Sequence, residues 1–336
     1  MFVKEAKNRE FESSLLIIDN KQNNMNILVT GGAGYIGSHI CKRLIGEGHN
    51  IVVIDNMSNS SKESLSDIYD NPAFTFYEFD VNNTFKLRGV FDRHRFDMVF
   101  HFAGNADTRK GEENPYADIE NTLQTTLNVL EMMRTFDVKK FFYSSSSAVF
   151  GNSPERLQLG RTHTRPISHY GAAKLAGEAF VSSFSSLHGF QVWIARFSNT
   201  VGANMYRGVV PDLIRKIKMH PEQLEVFGDG TQCKPYIWID DLVEGVMCML
   251  EKTDNRYNSF LIGVDTNVTV ERIAKIVMEE TGVVVPIKYR DDYTGNKGDV
   301  NIYSYDVTPL RMLGWTPKYT AEEAIRKAVR VNMNNI

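Results

Sequence analysis

Met25-Asn26-Ile27-Leu28-Val29-Thr30-Gly31-Gly32-Ala33-Gly34-Tyr35-Ile36-Gly37 is the stretch that decides the fold. Ile27-Leu28-Val29 is a short apolar run that ends at Thr30 in a glycine cluster, so it reads as a buried strand entering a turn. Beyond it, Ile36, Ile40, Leu44 and Ile45 recur at helical spacing until Gly46 and Gly48 stop them. Glycines 31, 34 and 37 spell GxxGxxG between the two elements. Glycine permits a tight turn and a close backbone approach, and the helix start then offers free N–H groups and the positive end of its dipole to a pyrophosphate. A glycine turn by itself is weak evidence, but the strand–turn–helix context is the one this mechanism needs. A second buried run, Ile51-Val52-Val53-Ile54, ends at Asp55, 18 residues after Gly37. A carboxylate there accepts from ribose hydroxyls and repels a 2′-phosphate, and no arginine follows within five residues, which favours NAD over NADP. Asp55 as a turn cap remains the alternative reading.

The alternation continues outward. Residues 74–79 read as a strand, 85–93 as a helix, 97–102 as a strand, 116–136 as one long amphipathic helix, 140–144 as a strand, 170–187 as a helix and 191–197 as a strand. Strands alternating with helices imply right-handed crossovers, hence a Rossmann-type doubly wound parallel sheet in an α/β fold. After about residue 200 the rhythm weakens. Helical stretches at 240–252 and 270–281 flank an apolar segment at 260–263, which suggests a smaller mixed α/β C-terminal lobe. The expected organisation is an extension over 1–24, an NAD-binding domain over 25–200 with 234–262 partly returning to it, and a substrate lobe over most of 201–336.

Composition narrows the function. The chain has 336 residues, is 42% hydrophobic and carries a formal net charge of −3, so a sizeable core is expected and no basic surplus exists for nucleic acid. The three cysteines, Cys41, Cys233 and Cys248, and the scattered histidines have no metal-ligand spacing. No apolar run reaches the roughly 18 residues of a membrane span. The short patch Leu15-Leu16-Ile17-Ile18 is flanked by Glu10, Glu12 and Asp19, unlike a signal peptide. These features lead us to expect a soluble cytoplasmic protein without metal or membrane partner.

Tyr170 and Lys174 stand four apart, one turn along one helix face. An ammonium near a phenol favours the phenolate, and such a tyrosine can take a proton from an alcohol while hydride leaves the same carbon. The same spacing arises on ordinary surface helices, so it does not decide by itself. The serine run Ser144-Ser145-Ser146-Ser147 follows a strand, where a hydroxyl can meet the reacting oxygen. Neither a GxSxG elbow nor a Ser–His–Asp arrangement is evident.

Taken together, TGGAGYIGSH (30–39), IDN (54–56), FDV (79–81), HFAG (101–104), SSSSAVFG (144–151), PISHYGAAK (166–174), RFSN (196–199), FGDGTQ (227–232), IDDLV (239–243) and LGW (313–315) carry a resemblance. Over about residues 25–333 the chain resembles the extended short-chain dehydrogenase/reductase family. Within it the NAD-dependent nucleotide-sugar epimerases are most similar, above all those like UDP-glucose (galactose) 4-epimerase. The resemblance implies that Gly31, Gly34, Tyr35, Ile36 and Gly37 meet the pyrophosphate. It places Asp55 and Asn56, with Ser58 and Asn59 after them, at the adenosine ribose, and Asp80 and Val81 at the adenine. Phe102, Ala103, Gly104, Asn121 and Ser144 would line the cofactor's path. Ser146, Tyr170 and Lys174 would be catalytic, with Lys174 also on the nicotinamide ribose. Ser146, Asn199, Val210, Lys234, Lys297 and Tyr303 would meet a nucleotide-diphosphate sugar, a UDP-sugar first.

The same resemblance discriminates between reactions. Dehydratases of the family carry an Asp–Glu pair, and decarboxylases a Glu, where this chain has Ser147 and Ala148. Their absence favours oxidation and return at C4, hence epimerisation, over dehydration, C3/C5 epimerisation, a C4 reductase or dehydrogenase, or a non-catalytic NAD sensor. Several positions depart from the pattern. Cys233 and Lys234 stand where arginine is usual, Lys297 replaces a second arginine, Phe150 a tyrosine, Ala106 a lysine and His169 a proline. Bulky Tyr303 would disfavour an N-acetyl group at the sugar C2. Members of the family commonly form homodimers through helices at about 113–135 and 166–188, which is the expectation here.

Overall fold

The computed structural model describes residues 24–333 apart from 106, 154, 291–299 and 301. All but one residue of the 1–24 extension, and Lys297, therefore lie outside the described residues.

The opening run folds as expected. β1 (Asn26–Thr30) passes into α1 (Tyr35–Gly46) and β2 (Asn50–Asp55), with Ile27, Leu28, Val29, Val53 and Ile54 fully buried. β3 (Phe74–Glu78), α2 (Thr84–Arg93), β4 (Met98–His101), β5 (Lys140–Ser146), α6 (His169–His188, after the α3–α5 segments below), and β7 (Gln191–Phe197, after the two-residue β6, Arg156–Leu157) continue the pattern. The principal sheet has the order β3-β2-β1-β4-β5-β7 and then β12 (Tyr257–Ile262), and every neighbouring pair is parallel. Helices cover both faces, so the strands read as continuous apolar runs. The order reverses between β1 and β4, which opens a crevice beyond their carboxyl ends.

The apolar segment at 260–263 belongs to this sheet, since β12 pairs with β7 along its whole length. It is reached from β11 (Tyr236–Trp238) through α8 (Ile239–Lys252). The remaining elements are β8 (Asn199–Val201), α7 (Val209–Met219), β9 (Leu224–Phe227), β10 (Cys233–Lys234), β13 (Val268–Thr269), α9 (Val270–Thr281), β14 (Ile287–Arg290), β15 (Ser304–Tyr305), α10 (Thr308–Met312) and α11 (Ala321–Asn332). Outside the main sheet the strands pair in twos: β8 with β11, β9 with β14, β10 with β13 and β6 with β15.

One element departs from the sequence reading. The single helix expected over 116–136 is instead α4 (Pro115–Asp118), a wider π-helical turn at Ile119–Gln124, and α5 (Thr125–Thr135), and a further short helix, α3 (Thr108–Glu113), precedes them. Hydroxyls compete with the helical ladder here. Thr126 Oγ1 donates to Thr122 O at 2.6 Å, Thr125 Oγ1 donates to Asn121 O at 3.1 Å, and Asn121 Nδ2 donates to Ala117 O at 2.8 Å. Such back-bonding loosens the i→i−4 register, and the amphipathic period does not reveal it.

Candidate active site

The turn between β1 and α1 explains its glycines. Gly31 has φ 70°, in the left-handed region, and a Cβ there would stand 2.5 Å from Ala103 N on the loop after β4. A Cβ on Gly37 would run into Gly31 O. Helix α1 thus starts tight against the turn. Its N-cap, Gly34, brings no side-chain acceptor, and its first turn has no acidic residue. The leading N–H groups keep their partial positive charge for an anion.

Asp55 is the turn cap that its position allowed. Its Oδ2 accepts from Ala33 N at 3.0 Å, and its Oδ1 accepts from Met57 N at 2.9 Å and from Ser60 Oγ at 2.8 Å, so it caps the turn. It also lines the cleft. Asn56 Nδ2 donates to Asp80 Oδ2 at 2.7 Å, which ties the loop after β2 to the loop after β3.

That cleft has a volume of about 1090 Å³ and brings the expected residues together. Gly31, Gly34, Tyr35, Ile36 and Gly37 form its floor with Asp55, Asn56, Ser58 and Asn59; Asp80 and Val81 flank it. Phe102, Ala103, Gly104 and Asn121 continue the wall to Ser144, Ser146, Tyr170 and Lys174, with Asn199 beyond.

The catalytic candidates converge where β5 meets α6. Ser146 ends β5, and its Oγ accepts from Ala148 N at 3.2 Å as the cap of a short 3-10 turn, Ser147–Phe150. Ser168 caps α6, its Oγ accepting from Gly171 N at 3.1 Å, which starts the helix with Tyr170 in its first turn. Lys174 is buried, donates from Nζ to Ser144 O at 2.7 Å, and sits 6.0 Å from the centre of the Tyr170 ring. Burial pushes the Tyr170 phenol up to about 12, against the pull of its hydrogen bond with Ser146. The phenol is therefore not lowered as the sequence reading expected, because burial outweighs its neighbours and Lys174 is engaged with Ser144. Burial brings the Lys174 ammonium down to about 8, opposed by the negative charges of Glu178 and Asp118.

A polar layer supports this corner from below. Glu178 accepts from Arg196 Nε at 2.9 Å and Nη2 at 2.6 Å, and from Ser145 Oγ at 2.5 Å. Arg196 also lies 4.8 Å from the centre of the Phe150 ring. His101 is fully buried, bonded through Nδ1 to Thr30 Oγ1 at 2.7 Å and through Nε2 to Thr126 Oγ1 at 3.1 Å. Burial holds it neutral, with a pKa near 3.

The sugar-side candidates are less concentrated. Tyr303 is buried and its hydroxyl donates to Asn199 Oδ1 at 3.5 Å, so these two meet. Lys234 is buried in β10, and Val210 is fully buried in α7, in the core that also holds Ile27 and Val29, so the Val210 side chain offers no surface to a ligand. Two basic side chains on the cleft wall were not foreseen, Lys110 of α3 and Arg207. Arg207 Nη1 donates to Asn59 Oδ1 at 2.9 Å across 148 positions of sequence, a contact without a motif. Among the described residues no helix is long and apolar enough to cross a membrane, and no cluster of metal-ligating side chains is found.

Comparison with known proteins agrees with this geometry. A family model described as the NAD dependent epimerase/dehydratase family matches residues 27–263. The UDP-glucose 4-epimerase of Bacillus subtilis is 32% identical over 339 residues, covering 93% of this chain and 98% of its own. UDP-glucuronic acid decarboxylase 1 of Arabidopsis thaliana is 29% identical over 325 residues, covering 93% and 71%. Among solved structures, the UDP-glucose 4-epimerase of Thermotoga maritima with UDP-glucose superposes with a TM-score of 0.81 at 31% identity, covering 93% and 99%.

Proposed function

Because this chain belongs to the NAD dependent epimerase/dehydratase family, we propose that it inverts C4 of a UDP-hexose through a 4-keto sugar. The observation that carries this reading is the meeting of Ser146, Tyr170 and Lys174 at the end of β5 with Ser147 and Ala148, and no carboxylate, at the two positions after Ser146. Dehydration and decarboxylation need a further acid or base near C5 or C6, and this corner supplies none at those positions.

The residues fit NAD. The Gly31–Gly37 turn leaves backbone where a Cβ would block it, α1 presents uncapped N–H groups, and Asp55 stands at the ribose end with lone pairs to spare. When bound, NAD would accept and return the hydride. Tyr170 takes the proton from the 4-hydroxyl and later gives it back. Ser146, bonded to the same phenol, orients the sugar oxygen, and the Lys174 ammonium, 6.0 Å from the centre of the Tyr170 ring, is the positive charge that would favour the phenolate against the burial that raises it. Asn199, held by Tyr303, faces the diphosphate side.

A homodimer and a cytoplasmic location complete the proposal. Tyr116, Ile119, Phe180 and Leu187 expose large apolar surface on α4, the π turn and α6, and Phe180 and Leu187 lie seven apart on one face. Cys41, Cys233 and Cys248 are unpaired thiols, as in a reducing compartment.

The test is product analysis by NMR after incubation with UDP-, dTDP-, GDP- and CDP-sugars without added NAD. A C4-inverted UDP-hexose is expected, and Tyr170→Phe should lower its rate by about 10²–10⁴-fold with the protein still folded. Net accumulation of a 4-keto-6-deoxy sugar would overturn the reading.

A further inference from the structure

Asp118, the last residue of α4, is a carboxylate that neither the fold nor the proposed chemistry uses. It is 1% exposed. Its Oδ1 accepts from Asn105 Nδ2 at 2.8 Å, while its Oδ2 is buried without a hydrogen-bond partner and Asp118 forms no ion pair among the described residues. Room for that oxygen comes from Gly111 of α3, where a Cβ would overlap Oδ2. A buried, half-satisfied carboxylate is costly to keep charged, and burial pushes the Asp118 carboxyl up, opposed by its hydrogen bond from Asn105 and by nearby positive charge.

The surrounding charges identify the partner. From α6, His169 and then Lys174 act on Asp118, and Asp118 in turn acts on Tyr170 and, after Glu178, on Lys174. Glu178 is the other carboxylate felt by Lys174, but Arg196 and Ser145 already engage it and balance its charge. His101 carries no charge, and Asp107 is paired with Arg109 at 3.2 Å. His169 is exposed at the start of α6, where solvent screens it. Of the groups on α6, the buried Lys174 is then the cation that faces Asp118 away from solvent. The two lie close: Asn105, which bonds Asp118, also donates from N to Thr122 Oγ1 at 3.0 Å, and both Thr122 Oγ1 and Lys174 Nζ border the position a Cβ on Gly104 would occupy.

We propose that Asp118 is the counter-charge of Lys174, a positioning residue that keeps the ammonium of the catalytic pair charged in its buried corner. This rests on the reading of Lys174 as a catalytic group. A neutral amine at this place would neither favour the Tyr170 phenolate nor donate from a fixed cation to a ribose hydroxyl.

The test follows the Lys174 titration directly, by NMR of protein labelled with ¹³C at lysine Cε, with the signal assigned by its loss in Lys174→Met. In Asp118→Asn the shape and the Asn105 hydrogen bond are retained and the charge is removed. Lys174 is expected to lose its proton about one pH unit lower, a tenfold change at fixed pH. Gly111→Ala, which forces the carboxylate from its place, should shift the titration in the same direction and decides the matter if Asp118→Asn does not fold. An unchanged or raised titration in the folded variants would overturn the proposal. A shifted titration in a protein inactive on every nucleotide sugar would overturn the catalytic reading and leave the counter-charge standing.

Discussion

At the scale of single residues, burial sets the chemistry more than neighbours do. Tyr170 and Lys174 were legible as a pair from their spacing, yet the direction of the Tyr170 shift was not, because desolvation depends on how deeply α6 packs against β5. His101 makes the same point. In the sequence it is one letter of HFAG, and in the structure it is a neutral bridge between Thr30 and Thr126. Its pH dependence follows with a definite sign. The native state holds it unprotonated down to about pH 3, whereas the unfolded chain takes up a proton near 6.5. The unfolded state therefore binds more protons throughout that window, and stability falls as pH falls. Between pH 7 and pH 5 this one residue should remove about 2 kcal/mol. Urea melts at the two pH values check it. The wild type should lose more stability than His101→Gln, and equal losses would show that the residue contributes nothing.

Among the elements, the glycine turn and the helix capped by Ser168 were both readable, since each depends on contacts within a few residues. The π turn at Ile119–Gln124 was not. It forms because the Thr125 and Thr126 hydroxyls donate to the backbone carbonyls of Asn121 and Thr122, and because Thr122 Oγ1 accepts the N–H of Asn105 from a loop 17 residues away. The turn thereby holds the wall at Gly104 and Asn105 in place beside Asn121. Thr122→Val keeps the shape and removes the acceptor, leaving a buried N–H unpaired at a cost of about 1–3 kcal/mol. Denaturant unfolding should show that loss, and the purified variant should retain less NAD. Unaltered stability would mean that the Asn105 N–H finds another acceptor.

For the whole molecule, the active-site cleft is a product of topology. The reversal of strand order between β1 and β4 opens it, and α6 closes one side by bringing Tyr170 and Lys174 to the end of β5. The chain after β7 contributes Asn199 and Arg207, and Arg207 reaches Asn59 across the cleft mouth. The proposed dimer is argued at this scale too. Phe180→Glu with Leu187→Glu should convert a dimer to a monomer in sedimentation equilibrium, with bound NAD unchanged, because neither residue lines the cleft. A wild type that sediments as a monomer would remove the proposal.

The parallel α/β architecture, the nucleotide turn, Asp55, and the Tyr170–Lys174 spacing were determined by the sequence alone. They rest on local periodicity, on glycine's missing side chain and on the pitch of one helix, which travel with the chain wherever it folds. The return of β12 to the main sheet, the burial of Val210 and Lys234, the reach of Arg207, and Asp118 opposite Lys174 in space left by Gly111 were decided only by tertiary structure. Each joins segments far apart in the chain, and the free energy of burying a charge or of closing a cleft is a property of the surroundings, which no single segment encodes.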